Sequence, residues 1–487
     1  NQAGGGTVHY GAVSWRFHED DFRARSQTME RYGRAAIPAD SSLADWPLSY
    51  ADLEPYYDRA EYDLGVAGKA GNLQGRKIAG GNPFEAPRRR EYPLPPLLVD
   101  QGGQIFDAGA KKLGYHPFST PRAILSQPYQ GRPGCTYCGF CQAFGCHIGA
   151  KSSILVTKLP EADATGNFRL ISGAMCYRVN SDSSGRATGV AYYGPDGSEN
   201  TIEAEIVILA PFIYDSVRLL LLSKTDRFPY GLANSSGELG RHLMTHINPR
   251  VFAAFDDRYI NIYMGPSAQR HTLDDFNGDN FDHNGAGFVR GAQISVGPAD
   301  LEAGPIGAAM SLTPPPGVPR WGAAYRDFLA KYFARYVAMV AQTENLPYAD
   351  QTMDLDPNVR DQWGLPAPRL TYDWRRPNEV ARVEFMQRKM EEVGRAMGAA
   401  HVWRGPLSPG TPGGHHEGGT RMGNDSKTSV VNRYGQSWDI PNLFVIGSST
   451  FPSMGSGFNP TLTIQALAYL SADAIANRYR KSPGPLV

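Results

Sequence analysis

Two short apolar runs, each followed by a helical pattern, constrain the fold of this chain more than any other feature. Residues 205–210 have the continuous apolar character of a buried parallel strand, and a helical period follows over 216–223. A second buried strand at 443–446 ends in Gly447-Ser448-Ser449. A strand followed by a helix is the repeating unit of a doubly wound sheet. We therefore predict an α/β fold with small residues at the carboxyl edge of the sheet, where ligands bind.

Other segments predict further strands and helices. Alternating residues indicate a β-meander at 168–172, 188–193 and 198–204. Residues 248–345 mix strand-like alternation with Gly, Pro and Asn loops, which is typical of a mixed sheet in a second domain. Helices are predicted after a capping box formed by Ser49 and Asp52, near 104–113, over 378–397 and over 461–478.

The charge balance excludes one class of partner. The 487 residues contain 48 Lys plus Arg and 48 Asp plus Glu, so the formal net charge is zero. Such a chain has no general attraction for phosphate backbones, and nucleic acid is not an expected partner. Its apolar runs are also far shorter than the roughly 20 residues that cross a bilayer, so no transmembrane segment is predicted.

Four of the five cysteines lie within twelve positions, at Cys135, Cys138, Cys141 and Cys146. The spacing C-x2-C-x2-C-x4-C can turn several thiolates toward one point, as cluster-binding loops do, and it favours an iron-sulfur site. A structural zinc site or one or two local disulfides are the alternatives, because sites made only of sulfur suit zinc as well as iron.

The C-terminal part of the chain contains the strongest candidates for chemistry. Residues 413–423 form a glycine-rich run in which two histidines, His415 and His416, are adjacent. Backbone rich in glycine can approach a ligand closely, which favours a catalytic role over that of an ordinary loop histidine. Asn459 and Pro460 predict the N-cap and first position of the last helix, whose positive end would stabilise an anionic group.

These motifs resemble the glucose-methanol-choline (GMC) oxidoreductases. The resemblance rests on His-x-x-Gly-Gly-x-Arg-Met-Gly at 415–423, on Gly-Ser-Ser at 447–449 and on Asn-Pro-Thr-Leu-Thr at 459–463. Further segments are similar to the bacterial sugar-dehydrogenase branch, which includes large subunits of gluconate 2-dehydrogenases, glucoside 3-dehydrogenases and the related pyranose oxidases. The resemblance implies a doubly wound FAD-binding domain interleaved with a mixed-sheet substrate domain.

The implied domains follow from placing those motifs along the chain. The FAD-binding domain would comprise 1–46, 97–247 and 405–487, with the cysteine loop at 132–150. Residues 47–96 would be an excursion over the surface, and 248–404 the substrate-binding domain.

The resemblance also assigns roles to single residues. His415 takes the place of the catalytic base and Asn459 that of its partner; a register shift of one residue would select His416 instead. The ordinary pKa range of histidine suits such a base. Gln351 and Glu344 lie in the segment that lines the sugar site of relatives. The implied flavin-binding residues are Gly5, Gly6, Thr7, His9, Gly447, Ser448, Asn459, Pro460 and Thr461.

The start of the chain departs from the family pattern. A G-x-G-x-x-G fingerprint, which seats the pyrophosphate of a dinucleotide, is absent from the sequence. The family has it upstream of the Gly4 loop, so we expect that this sequence lacks an N-terminal βαβ unit and any signal peptide. His9 lies where some pyranose oxidases attach FAD covalently, but its presence alone does not predict a linkage.

The implied function is FAD-dependent dehydrogenation of a secondary hydroxyl on a sugar or glycoside, with glucoside 3-oxidation first and gluconate 2-oxidation second. A pyranose-oxidase-like reaction is a further alternative. The cysteine loop favours the dehydrogenase, with a [3Fe-4S] or [4Fe-4S] cluster passing electrons to a cytochrome. A small partner subunit and a periplasmic location are implied by the resemblance alone. A non-catalytic assembly subunit on a degenerate flavoprotein scaffold is the alternative from another class.

Overall fold

A computed structural model describes residues 2–261, 265, 270–297, 312–407 and 415–486. The helices are α1 (Ala24–Tyr32), α2 (Tyr50–Leu64), α3 (Gln101–Lys112), α4 (Lys158–Ala164), α5 (Ile213–Leu222), α6 (Gly322–Tyr332), α7 (Pro377–Ala396) and α8 (Thr461–Ala474).

The strands are short in much of the chain. They are β1 (Asn72–Leu73), β2 (Arg76–Lys77), β3 (Phe118–Ser119), β4 (Met175–Ser181), β5 (Ala187–Tyr193), β6 (Glu199–Glu203), β7 (Val207–Leu209), β8 (Met244–Thr245), β9 (Arg250–Ala254), β10 (His271–Leu273), β11 (Ala292–Gly297), β12 (Tyr336–Thr343), β13 (Thr352–Arg360), β14 (Pro366–Thr371), β15 (His401–Arg404), β16 (His416–Glu417) and β17 (Leu443–Val445).

Strands β7 and β17 pair in parallel, with Val207 opposite Leu443 and Leu209 opposite Val445. Apolar side chains of α5 and α8, including Val217 and Leu462, share one core cluster with these strands. The two strand-and-helix units predicted from the apolar runs are therefore confirmed, and they form one α/β layer. Gly447 and Ser448 follow β17 at the carboxyl edge, whereas Ala210, Pro211 and Phe212 follow β7.

The larger sheet has six strands in the order β15-β9-β12-β11-β10-β3. Each described pair in it is antiparallel, whereas the sequence predicts a mixed sheet for the second domain. Helices α3 and α7 pack against this sheet through Phe106, Met386 and Met390. Strand β3 belongs to residues 97–247, which the sequence assigns to the FAD-binding domain, yet it pairs with β10.

The β-meander forms as β4-β5-β6, but its first strand begins at Met175 and not at 168. Met175 pairs with Tyr193, the last residue of β5, so no partner extends beside 168–172. Leu170 is accordingly 58% exposed. A strand needs a neighbour for its backbone hydrogen bonds, and the sequence pattern alone does not supply one.

The helix after Ser49 has the predicted capping box. Asp52 N donates to Ser49 Oγ at 3.3 Å, and Ser49 N donates to the Asp52 carboxylate at 2.8 Å. The segment after this helix is not simply an excursion over the surface. Arg88 is 1% exposed and binds Glu85 at 2.8 Å and Glu61 of α2, because a buried guanidinium requires carboxylate partners.

Within the described ranges, no helix combines the length and apolar character that crossing a membrane requires.

We expect Ser49→Ala to destabilise the protein by about 1 kcal/mol, because the substitution removes one half of the capping box. Equilibrium unfolding by denaturant measures the change. Ser235→Ala, at an exposed serine, is the matched control and should change the unfolding free energy by less than about 0.5 kcal/mol. Equal effects of the two substitutions would contradict the contribution of the cap.

Candidate active site

His415 and Asn459 come together although they are 44 positions apart in the sequence. His415 immediately precedes β16, which pairs with β8, and Asn459 lies in the loop before α8. The Asn459 side-chain nitrogen lies 3.1 Å from His415 Nε2. The two residues that the resemblance assigns as base and partner are therefore in contact. Residues 408–414, including Gly413 and Gly414 of the glycine run, lie outside the described residues.

Trp15 determines which way this pair is oriented. Its indole N–H donates to Asn459 Oδ1 at 3.2 Å. Because an indole nitrogen only donates, this oxygen is the acceptor and the amide N–H₂ of Asn459 faces His415. His415 Nε2 must then accept, so the proton of the neutral ring is on Nδ1. The site thus presents an imidazole lone pair beside an amide donor.

The environment keeps His415 neutral. Burial, followed by the neighbouring His246 and His416, lowers the pKa of His415 to about 3. This value is below the ordinary range that the sequence suggests. The reason is that desolvation disfavours the charged ring and that the described surroundings provide no carboxylate paired with it.

His246 is a second buried histidine at this site, and sequence reasoning gives it no role. Its ring is perpendicular to that of His415, with 5.3 Å between the centroids. Nδ1 lies 2.6 Å from the carbonyl oxygen of Thr343, and Nε2 lies 3.1 Å from that of Phe458. Burial lowers the pKa of His246 to about 4. The ring therefore links the end of β12 to the loop that carries Asn459.

His416 points away from this pair. Its ring lies against Phe212 and Tyr214, and the Tyr214 hydroxyl contacts its Nδ1. Successive side chains of a strand point to opposite faces, so adjacent histidines entering β16 cannot both face Asn459. The structure places His415, and not His416, in contact with Asn459.

A buried arginine holds the loop that carries Asn459. Arg290 binds Glu344 and Asp20 at 2.8 Å each, contacts Asp21, and donates to Ser456 Oγ at 3.0 Å. Its side chain is 2% exposed. Four segments that are remote in sequence therefore meet at one guanidinium. One of its partners, Ser456, is three positions before Asn459.

The same loop approaches the large sheet very closely at Gly457. Gly457 N donates to Asn277 Oδ1 at 2.7 Å, and the Gln342 side chain donates to Gly457 O at 3.0 Å. A Cβ at this position would lie 2.0 Å from the Gln342 carbonyl oxygen, so only glycine fits. No local sequence signal indicates either Arg290 or this contact, because the partners are separated by at least 54 residues.

The proposed substrate residues are buried next to these elements. Glu344 is 1% exposed and follows Thr343, and Gln351 is 2% exposed with its amide N–H₂ bound to Asp373 O at 2.9 Å. Leu243 N, next to β8, donates to Gln351 O at 3.0 Å. Each of the two side chains keeps one buried oxygen, Oε1, without a hydrogen-bond partner.

The glycines of the predicted flavin site leave backbone uncovered. Gly5 and Gly6 lie in a short 3-10 turn, and among the described residues, apart from the chain neighbours, no atom lies within 4 Å of the place that a Cβ would take at either residue. Thr7 Oγ1 holds the turn by donating to Gly4 O at 2.6 Å and accepting from Ile154 N at 3.1 Å. A flat ring system can lie against such exposed peptide planes.

The carboxyl edge of β17 offers further room for a ligand. Gly447 has φ 137°, and a 3-10 turn over Ser448–Thr450 follows. Ser448 Oγ donates to His416 O at 2.8 Å, while Ser449 Oγ is buried without a partner. An orphaned buried hydroxyl beside small residues fits the phosphate or ribityl part of a flavin nucleotide.

The last helix begins at Thr461 as predicted, but its N-cap residue differs from the prediction. Pro460, not Asn459, is at the N-cap of α8, and no side chain caps this helix. Asn459 does not cap because its amide is engaged with Trp15 and His415. The first amides of α8, from Thr461 on, are thus left for a ligand, as an anion-binding helix terminus requires.

His9 is exposed, and its Nδ1 lies 3.2 Å from the Gln2 side-chain nitrogen. Its backbone oxygen accepts from Ala143 N at 2.7 Å, and the Lys151 ammonium donates to Tyr10 O at 3.0 Å. The turn at Gly5–Val8 therefore adjoins the cysteine loop.

The four clustered cysteines line one cavity together with Lys151. All five cysteines of the chain are free thiols, which contradicts the alternative of local disulfides. Among the described residues, only His18, Asp20 and Asp21 form a group of three ligand atoms within 4.8 Å of one another. A tetrahedral zinc ion would bring thiolates within about 4 Å of each other, so this loop does not have the compact form of a zinc site.

Two backbone amides point at cysteine sulfurs in this loop. Tyr137 N donates to Cys135 Sγ at 3.3 Å, and Lys151 N donates to Cys146 Sγ at 3.5 Å. Burial raises the pKa of Cys135 and raises that of Cys141 to about 11, so both are thiols until a metal replaces the proton. Such N–H···S bonds fit an iron-sulfur cluster. The donors are all sulfur, and they are not gathered as closely as the ligands of one metal ion.

We expect Arg290→Met to destabilise the protein by about 3–5 kcal/mol, because it leaves Asp20, Asp21 and Glu344 buried without their counter-charge. Arg326→Met, which removes an exposed ion pair with Asp327, is the control and should change stability by less than about 0.5 kcal/mol. Denaturant unfolding at neutral pH compares the two variants. A small effect at Arg290 would show that the buried cluster does not hold the loop.

The chain matches known proteins over nearly its whole length. Family models for GMC oxidoreductases match residues 41–248 and 347–468. The gluconate 2-dehydrogenase flavoprotein of Pantoea cypripedii is 36% identical, over 99% of this chain and 80% of the relative. The fructose dehydrogenase large subunit of Gluconobacter japonicus is 31% identical, over 97% of this chain and 80% of the relative.

A further relative and a solved structure agree with these matches. The 2-methyl-1,2-propanediol dehydrogenase of Mycolicibacterium austroafricanum is 31% identical, over 98% of this chain and 81% of the relative. The formate oxidase of Aspergillus oryzae superposes with a TM-score of 0.58 at 13% identity, covering 98% of this chain and 84% of its own, and so shares the fold. The chain belongs to the GMC oxidoreductases, the FAD-binding enzymes that act on CH–OH groups.

Proposed function

We propose that this chain is the flavoprotein of a dehydrogenase that oxidises a secondary hydroxyl of a sugar or glycoside. The observation that carries the proposal is the His415–Asn459 pair, with a lone pair on Nε2 and an amide N–H₂ side by side at 3.1 Å. A hydroxyl oxygen placed between them loses its proton to Nε2 and keeps a hydrogen bond from the amide. General-base and electrostatic stabilisation then act on the same oxygen.

In this mechanism bound FAD supplies the hydride acceptor. Gly5, Gly6 and Thr7 would hold the ring, and Gly447 and Ser448 the ribityl and phosphate part. His415 Nε2 takes the hydroxyl proton, and Asn459 stabilises the developing negative charge on the oxygen. Trp15 keeps the Asn459 amide from flipping, so that the donor and not the acceptor faces the substrate oxygen. Desolvation of His415 keeps the ring unprotonated before the substrate binds.

We propose glucoside 3-oxidation as the first reaction to test and gluconate 2-oxidation as the second. The free Oε1 atoms of Glu344 and Gln351 favour a substrate with several hydroxyl donors in either case. The gluconate 2-dehydrogenase relative, which aligns with almost the whole chain, supports the second reaction. Steady-state assays with methyl glucoside and with gluconate decide between them. An assembly role without catalysis is not favoured, since His415 and Asn459 are both present and in contact.

The cysteine loop supports a further part of the proposal. We propose that Cys135, Cys138, Cys141 and Cys146 bind a [3Fe-4S] or [4Fe-4S] cluster, which would supply one-electron transfer to an external acceptor such as a cytochrome. The contact between Ala143 and His9 places this loop beside the proposed flavin turn. A small partner subunit and a periplasmic location complete the proposal; both come from the resemblance of the sequence to its branch of the family.

His415→Ala is expected to abolish reduction of the bound flavin by substrate, because no other group replaces Nε2 as the proton acceptor. Anaerobic stopped-flow absorbance of the full-length holoenzyme measures the reduction, and the flavin bands before mixing show that the cofactor stays bound. His416→Gln alters the neighbouring ring on the other face of β16 and should retain flavin reduction. Loss of flavin reduction in His416→Gln but not in His415→Ala would assign the role of base to His416.

Cys138→Ser is expected to remove most of the bound iron, because a serine oxygen is a poor ligand for a cluster held by thiolates. Iron and acid-labile sulfide are measured after anaerobic isolation, together with the flavin content. Cys176→Ser, which lies outside the loop on β4, is the matched control and should retain both elements. A wild-type protein without iron or sulfide would contradict the cluster.

A further inference from the structure

Glu417 is a buried carboxyl group that the mechanism above does not use. It is 0% exposed, and neither of its oxygens has a hydrogen-bond partner in the part of the chain that the structure describes. Burying an unpaired carboxyl group costs free energy, so such a group is retained where something else satisfies it. The residue is two positions after His415, in β16.

His415 has the complementary deficit. Its Nδ1 is buried and without a partner. Because the Trp15–Asn459 hydrogen bond makes Nε2 the acceptor, Nδ1 bears the proton and needs an acceptor of its own. The site therefore contains one orphaned donor, on His415, and one buried carboxyl group, on Glu417, with both of its oxygens orphaned.

The strand places these groups on the same side. Side chains two positions apart in a β-strand share a face, so His415 and Glu417 point one way while His416 points the other way, toward Phe212. Glu344 lies close enough to act electrostatically on Glu417, and its own Oε1 is also free. The orphaned atoms of Glu417 and Glu344 therefore lie near each other, and Glu417 shares its face of the strand with the candidate base.

We propose that Glu417 is a positioning residue for His415. One buried water molecule accepts the hydrogen bond from His415 Nδ1–H and in turn donates to a carboxyl oxygen of Glu417. The bridge is a water because the two side chains are not in direct hydrogen-bond contact. A buried water needs two to four polar partners, and His415 Nδ1 and the Glu417 oxygens offer them. The proposal rests on the proposed role of His415 as base.

This arrangement explains how the reactive tautomer is maintained. With Nδ1–H held by Glu417 and Nε2 facing Asn459, the ring cannot rotate or exchange its proton without losing a hydrogen bond at each nitrogen. Burial and then the nearby Glu344 raise the pKa of Glu417 well above its ordinary value, so this carboxyl is neutral. A neutral carboxyl still accepts through its carbonyl oxygen, as the bridge requires.

The test compares two substitutions that differ only in whether an acceptor remains. Glu417→Gln keeps an oxygen, and Glu417→Met has a similar size without one. In the full-length holoenzyme we expect Glu417→Met to slow flavin reduction by about 10- to 100-fold with little change in substrate affinity, and Glu417→Gln to slow it far less. Met244→Leu, directly opposite Glu417 on the paired strand, is the control for local packing and should retain the rate.

A second readout does not depend on turnover. Nitrogen-15 NMR of histidine-labelled protein reports which ring nitrogen of His415 is protonated, with the His415→Ala spectrum for assignment. We expect protonation at Nδ1 in the wild type and in Glu417→Gln, and a mixture of tautomers in Glu417→Met. Unchanged tautomer and rate in Glu417→Met, or equal loss in both variants, would overturn the proposal.

A high-resolution crystal structure of the wild-type holoenzyme provides a test that needs no variant. We expect a water within hydrogen-bond distance of His415 Nδ1 and a Glu417 oxygen, and its absence would overturn the bridge even if a Glu417 variant failed to fold. Failure of the proposed function would give a different experimental result. In that case His415→Ala would still reduce its flavin, whereas the tautomer and the water would continue to report on Glu417.

Discussion

The buried ion cluster around Arg290 is the interaction on which the rest of the site depends. One guanidinium binds Asp20, Asp21 and Glu344 and also Ser456. These partners come from the N-terminal segment, the end of the large sheet and the loop before α8. Because an unpaired charge is very costly in the interior, the three segments can only be buried together. The position of Asn459, three residues after Ser456, follows from this joint burial.

A second series of hydrogen bonds orients the side chains of the candidate catalytic pair. Trp15 donates to Asn459, Asn459 donates to His415, and the direction of each hydrogen bond is determined by the donor-only indole. Gly447 and Ser448, at the carboxyl edge of β17, belong to the proposed flavin site, and Ser448 Oγ donates to His416 O. The candidate catalytic pair and the proposed flavin residues therefore lie at the junction of the α/β layer and the antiparallel sheet, where neither layer alone would form a site.

Local patterns identify much of the fold. The apolar runs at 205–210 and 443–446, the capping box at Ser49 and the helix at 377–396 are all found as expected, because each depends on neighbours in sequence. No strand forms at 168–172, because β5 ends before it and leaves no partner. The antiparallel direction of the large sheet depends on how distant segments meet, which a local pattern does not show. Asn459 does not cap α8, since a tertiary hydrogen bond from Trp15 competes for its side chain.

The sequence by itself determined the family motifs, the cysteine spacing and the two histidines between which a base must be chosen. Only the tertiary structure decided that His415 faces Asn459, that Trp15 orients the amide, that His246 packs against His415, and that Arg290 holds the loop of Asn459. The physical reason is that spacing along a strand specifies the face of a side chain, whereas hydrogen-bond direction and burial depend on groups brought from elsewhere in the chain.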